Sequence, residues 1–325
     1  MRQHTWTSKC RSQLQRWSIA APLAVFGAIF ALLQMPLAQA ARFPGLYEAS
    51  VRAADRSDKA RDAAFAEALG VVAVRVTGMR DAAGRLGGAL GGARKYVQKF
   101  GYNADGTIQV GFDDTAVDQF LLQAGLPVWG QERPTTLIWL VGDSGAPNTH
   151  ETIERAARAR GIPVVWPAPG ETMGADPGEG NLNALAARYH ADAVLIGRSG
   201  ESGGLRWVLG FGGAGSETQG SLEDGVGFAA DSFARVFATA PSAVSEVAMD
   251  VSGIDSLSAY AGALNYIEGL TLVRSTFVER VAGDSIRFRL VVRGDASTLR
   301  RAIALDHHLL AAGSDAGALS FRYQP

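Results

Sequence analysis

The chain has 325 residues, with 31 basic and 32 acidic side chains and a formal net charge of −1. That balance gives no electrostatic reason to expect nucleic acid as a partner. Apolar residues make up 47% of the chain and cysteine occurs once, so packed cores are affordable and a disulfide framework is excluded.

The amino terminus carries Arg2, Lys9, Arg11 and Arg16 and no acidic residue. An apolar stretch from Ser18 to Met35 follows, then Pro36 and Ala38-Gln39-Ala40. A positive start, an apolar middle and small residues before a cleavage point describe a secretory signal peptide. The expected cut follows Ala40. The competing reading is an uncleaved anchor, because the apolar run approaches the ~20 residues that span a bilayer. Pro22 and Pro36 bound the run and favour cleavage. Cys10 precedes the apolar run, so it cannot be a lipidated cysteine, and the mature chain has no thiol. Loss of the leader leaves 27 basic against 32 acidic residues, a net of −5, and no further membrane span is expected.

The remaining 285 residues exceed one typical domain. The first module, residues 41–131, opens with alternation over 46–53 that predicts a strand. Asp55, Ser57 and Asp58 offer capping oxygens for a helix to about Val72. Ala60, Ala64, Ala68, Val71 and Val72 give it one buried face, with Glu67 off that face. Val74 and Val76 are β-branched, so the segment is open to becoming a strand before Thr77-Gly78 stops it. Five glycines between Gly84 and Gly92 break up the next stretch. A short helix, strands at 96–102 and 107–112, a helix capped by Asp113 or Asp114, and a closing strand at 126–129 complete a split β-α-β unit.

In the middle module, residues 132–240, strands at 135–141, 162–166 and 193–196 alternate with helices at 149–160 and 182–189. This order predicts a parallel α/β sheet. A glycine-joined hairpin at 205–221 and a helix at 224–240 follow. The third module, residues 241–325, reads β-α-β-β-α-β, the order of a ferredoxin-like sandwich. Its first helix, 256–267, places Leu257, Tyr260, Ala261, Leu264 and Ile267 on one face. The expected fold class is therefore α/β and α+β, multi-domain, an α/β middle domain flanked by split β-α-β (ferredoxin-like) modules.

Three segments carry a resemblance: Leu46-Tyr47-Glu48-Ala49-Ser50-Val51; Arg61-Asp62-Ala63-Ala64 through Ala68-Leu69 to Val74-Arg75-Val76-Thr77-Gly78; and Gln123-Ala124-Gly125-Leu126-Pro127-Val128-Trp129-Gly130. In order and spacing they resemble the bacterial domain of unknown function 2066. The likeness extends to about Ala240 and implies an exported protein of Gram-negative bacteria, with no activity and no catalytic residues to carry over. Residues 135–141, the helix after them, and Ala191-Asp192-Ala193-Val194-Leu195-Ile196-Gly197 with the hairpin that follows loosely resemble the amino-terminal domain of TolB, a docking module of the envelope.

Chemistry-bearing motifs are sparse. The mature histidines are His150, His190, His307 and His308, without metal-ligand spacing. Gly197-Arg198-Ser199-Gly200 begins like a nucleophile elbow, but Glu201 stands where its second glycine belongs. A hydrolase triad can be imagined from Ser199 with His190 and Asp192, but nearness along the chain is not geometry. Neither the glycines around 87–95 nor Gly210-Phe211-Gly212-Gly213-Ala214-Gly215 has a phosphate-loop context. The proline- and glycine-rich segment 167–180, with Glu171, Asp176 and Glu179, is a loop on the side where α/β domains bind ligands. Trp139 and Trp166 read as core, and Trp129 as packing between modules. No catalytic, cofactor or metal residues are assigned. The expected function is a non-enzymatic periplasmic protein-interaction module with an envelope protein partner; a periplasmic hydrolase or a small-ligand or ion-binding protein using the middle domain is the alternative.

Overall fold

A computed structural model describes residues 43–142, 148–168, 176–178, 182–199, 204–240, 243–315 and 318–324. The expected leader, residues 1–40, lies outside them. Three sheets and eight α-helices make a mixed, multi-domain fold of α/β and α+β parts. None of these helices is long and apolar enough to cross a membrane.

The first sheet is antiparallel and three-stranded, in the order β1 (Glu48–Arg52), β3 (Thr107–Phe112), β2 (Val97–Tyr102). Helix α1 (Asp58–Thr77) covers it. Ser57 caps the helix by accepting from the Ala60 N–H, and Gly78, at φ +70°, ends it in the left-handed region. Val74 and Val76 stay helical, because Val76 is fully buried on the same face as Leu69 and Val72. Packing thus overrides the β preference of branched side chains. A short helix α2 (Ala82–Leu86) runs into a 3-10 helix (Gly87–Tyr96), where the glycine cluster sits. Asp113 caps α3 (Asp114–Gln123) through the Ala116 N–H.

The strand expected at 126–129 does not form. Val128 makes a single antiparallel bridge to Thr239, and the sheet closes at three strands. Its hydrogen bonds are spent elsewhere: Val128 exchanges two with Thr239 at 3.0 Å each, and the Trp129 N–H donates to the Val76 carbonyl at 2.6 Å. Residues 126–133 therefore act as a strap between modules.

In the middle sheet the order is β5 (Val164–Val165), β4 (Thr136–Val141), β6 (Ala193–Ser199), β7 (Leu205–Phe211), β8 (Ala214–Gly220). The first three strands are parallel and the last two add an antiparallel hairpin. Gly212 and Gly213 turn that hairpin with φ of +61° and +81°, values that only glycine takes readily. Helices α4 (Thr149–Arg160) and α6 (Leu222–Phe237) bury one face of the sheet, while α5 (Leu182–Arg188) covers the other.

The third sheet has the order β10 (Val273–Ala282), β11 (Ser285–Arg293), β9 (Val244–Ser252), β13 (Ala318–Tyr323), β12 (Leu309–Asp315). Helices α7 (Leu257–Gly269) and α8 (Ala296–Ile303) pack their buried side chains against one face. The split β-α-β half forms as the pattern predicts, with β11 between β9 and β10. Beyond α8 the sequence pattern predicts one strand and the structure has two. The chain turns back as a hairpin, and β13 lies parallel to β9 instead of antiparallel. Leu319 and Phe321 alternate into the core opposite Met249 and Val251, so the more apolar arm takes the inner place. The face assigned to α7 shifts as well: Ala263 and Ile267 are buried, whereas Leu257 is 82% exposed.

The strap joins all three modules. Trp129 is buried and lies nearly parallel to Phe237, with ring centroids 6.5 Å apart, and edge-on to Phe233. The Gln131 N–H donates to the Thr271 hydroxyl, and the Glu132 carboxylate accepts from the Thr271 N–H at 3.0 Å. Gly130 has no room for a side chain, since a Cβ there would lie 2.2 Å from the Thr271 Cβ. Trp129→Ala is expected to cost about 3–5 kcal/mol of unfolding free energy and Gly130→Ala about 1–3 kcal/mol. Urea titrations should show both as lower midpoints at unchanged m.

Candidate functional site

Three regions were singled out by the sequence or stand out in the fold: the carboxyl rim of the parallel strands, the charged joint beneath the strap, and the end of the C-terminal sheet.

At the rim, the strand order β5-β4-β6 puts the topological switch beside β4, where doubly wound sheets bind ligands. His150, in the first turn of α4, stacks on Trp166 with ring centroids 3.8 Å apart. Trp166 is half-buried, packed against the edge of the core at the rim. Arg198 clamps Asp176 through Nε and Nη2, both at 2.8 Å. Together with the Gly178 N–H, this pulls the Asp176 carboxyl down to about 2. Of the loop 167–180, residues 169–175, 179 and 180 lie outside the described residues.

The imagined triad does not assemble. Ser199 ends β6, whereas His190 and Asp192 precede its start. Six residue steps along a strand separate the two ends of β6 by ~20 Å. Asp192 serves the backbone, accepting from the Thr135 N–H at 2.7 Å where the first parallel strand begins. Burial pushes its carboxyl up to about 6. Among the described residues no group of three or more His, Cys, Asp or Glu side chains is placed to hold a metal. The glycines at 210–215 belong to the β7–β8 hairpin, and a Cβ on Gly210 would meet Leu182 at 2.5 Å.

Beneath the strap lies a cluster that sequence reading missed. Arg133 is 0% exposed, with its guanidinium 3.7 Å from the centre of the Trp129 ring. It donates to the carbonyls of Gly130, Trp129 and Arg75 at 2.6, 2.5 and 3.0 Å. Burial brings its pKa down to about 9, so it keeps its charge at neutral pH. Nearby, the Tyr47 hydroxyl donates to buried Asp118 at 2.7 Å, and Arg293 approaches Asp118 to 3.9 Å. Arg160 binds the Gly78 carbonyl and Asp231 at 2.8 and 2.6 Å. The arginines here bind helix-end carbonyls and single carboxylates, which is a structural use of charge.

At the far end of the C-terminal module, the β10–β11 hairpin projects beyond its helices. Val281 is 64% and Phe277 50% exposed, and Val278 is also exposed. The Ile254 N–H donates to the Asp284 carbonyl in the hairpin turn, which brings the start of α7 and exposed Leu257 to the same end. β10 is the outer strand of its sheet, so its outward backbone groups carry no strand partner among the described residues. Irregularities at Arg274 and Glu279 place charges on that edge, and the stretch 275–278 between them is regular. The sequence signal was the run Phe277-Val278 followed by Val281 at a hairpin end, which alternation alone assigns to a core.

Fold and site together define a multi-domain α/β and α+β protein with a fixed joint and an apolar sheet edge. A family model for a domain of unknown function (DUF8605) matches residues 40–130, which span the first sheet, its helices and most of the strap. No curated protein and no solved structure matches the chain.

The joint should impose a pH dependence. Burial raises Asp118 to about 6 against the pull of Tyr47, Arg293 and Arg133 and with the push of Asp114. Its native carboxyl holds a proton that the unfolded chain has lost above about pH 4. The contribution of Asp118 to stability therefore falls as pH rises from about 4 to 6, by on the order of 2–3 kcal/mol, and is flat above. Asp118→Asn should gain on wild type across that window and keep the gain at pH 7, as read by thermal unfolding at each pH.

Proposed function

We propose that this is an exported cell-envelope protein that works by protein contact without catalysing a reaction. In this reading the edge of its C-terminal sheet is the contact surface. The observation that carries it is the outer strand β10, where Val278 and Val281 are exposed on the face shared with Phe288 and Ile286, and Phe277 is exposed on the opposite face beside Arg289. Exposed large apolar side chains grouped at one end of a module mark an interaction site more often than single ones do. The outward backbone of 275–278 suits an extended partner segment that adds as a further strand, while alternate side chains give specificity.

The strap supports the same reading. A surface presented by a rigid body loses less ordering entropy on binding than one presented by a mobile domain. Export is supported by the amino-terminal pattern, which ends at Ala38-Gln39-Ala40. The resemblance to the domain of unknown function 2066, and that of the middle module to the TolB amino-terminal domain, point the same way.

A photoreactive residue at position 281 should give a discrete adduct with one protein in intact envelopes, and one at position 217, on the exposed β8 edge, should not. Val278→Lys combined with Val281→Lys should abolish the adduct formed from a probe at position 277 while leaving the melting temperature unchanged. Equal labelling from 217 and 281, or an adduct indifferent to the two lysines, would contradict the reading. Fractionation should find the processed chain, starting at Ala41, in the periplasm.

A further inference from the structure

A second surface is chemically unlike the sheet edge. A cleft of about 460 Å³ runs between the first module and helix α4, and Glu48, Ser50, Arg75, Gln109, Arg155 and Arg158 are among the residues that line it. Its volume falls in the range of small-molecule sites, and its place between two modules is where such sites often form.

The charges in it are unbalanced. Arg75, in the last turn of α1, is half-buried. Its Nη1 donates to the Glu48 carbonyl at 2.5 Å, and its buried Nε has no hydrogen-bond partner. No carboxylate pairs with Arg75 among the described residues, and burial lowers its pKa with no neighbouring charge to offset it. Arg155 and Arg158 reach the same cleft from α4. Their carboxylates, Glu151 and Glu154, stand one turn back on that helix at 3.6 and 3.5 Å, in exposed pairs that hold weakly. The one carboxylate lining the cleft, Glu48, is already held by Lys99 at 2.6 Å and by the Gln109 amide at 3.1 Å. Three guanidinium groups therefore face a cavity whose own acid is occupied.

A partly buried guanidinium without a counter-charge is costly, and its planar fork matches carboxylate and phosphate oxygens. We propose that this cleft binds the oxyanion group of a small molecule, with Arg75 as the inner anchor and Arg155 and Arg158 as the outer clamp. Ser50 and Gln109 offer hydrogen-bonding groups to the uncharged part of the ligand. The proposal is independent of the sheet edge, which lies in another module.

Titration of the full chain with inorganic phosphate and, separately, with acetate tests it. Sodium chloride at matched ionic strength controls for screening. At least one oxyanion should raise the melting temperature saturably where chloride does not. A response to phosphate alone assigns a phosphoryl ligand, and a response to acetate alone a carboxylate ligand. Arg155→Gln combined with Arg158→Gln removes two exposed side chains, so it should melt like wild type in buffer and bind the anion about tenfold more weakly, a loss of about 1.4 kcal/mol. Arg75→Gln, checked for fold by circular dichroism, should abolish binding. Absence of saturable binding by either anion, or binding by the double variant as tight as wild type, would overturn the proposal.

Discussion

The structure depends on one short strap. Residues 126–133 carry backbone hydrogen bonds to Val76 in the first module and Thr239 in the second, and bond to the Thr271 hydroxyl in the third. Trp129 fills the space between α1 and α6, and Arg133 turns beneath it to bind three carbonyls that the strap and the end of α1 leave over. A buried charge of this kind is tolerated because its Nε and Nη2 donors meet fixed acceptors, and it is unforgiving for the same reason. Gly78 and Gly130 let the backbones approach: a Cβ on Gly78 would sit 2.4 Å from the Ala234 Cβ. A side chain added at either point would force these backbones apart.

That joint explains how three small cores act as one body. The described residues of Ala40–Pro325 form one compact unit, although each sheet has its own apolar cluster. The arginines that the joint consumes, Arg133, Arg160 and Arg293, are spent on carbonyls and single acids. Of those lining the cleft, Arg75 binds the Glu48 carbonyl and pairs with no carboxylate among the described residues, and Arg155 and Arg158 sit in exposed pairs with Glu151 and Glu154.

Much of the architecture is legible in local signals. Ser57, Asp113, Ser221, Ser256 and Asp295 each cap the helix that follows by accepting from a backbone N–H three residues on. Gly161 ends α4 in the left-handed region, and Gly212-Gly213 turns a hairpin. What escaped is what tertiary contacts decide. The apolar run at 126–129 looks like a strand, yet its donors go to two different modules. The small-residue stretch after Leu309 hides a strand because a single buried leucine carries it. Leu257 shares helical spacing with core residues, but it stands at the first position of α7 and is left exposed there. Arg133 is invisible because nothing local marks an arginine for burial. The Ser199–His190–Asp192 reading fails for an equally simple reason: neighbours in sequence sit at opposite ends of an extended strand.

The central claim is that the strap makes the modules open together or not at all. Native-state hydrogen exchange at the Val128, Trp129 and Thr239 amides measures this directly. If the strap is the common joint, all three exchange only through global unfolding, with the same free energy and denaturant dependence as core amides of the three sheets, such as those of Ile108, Leu195 and Phe288. Exchange of the strap amides through a smaller opening, well below the global free energy, while the sheet amides stay protected, would show that the modules are held by something else.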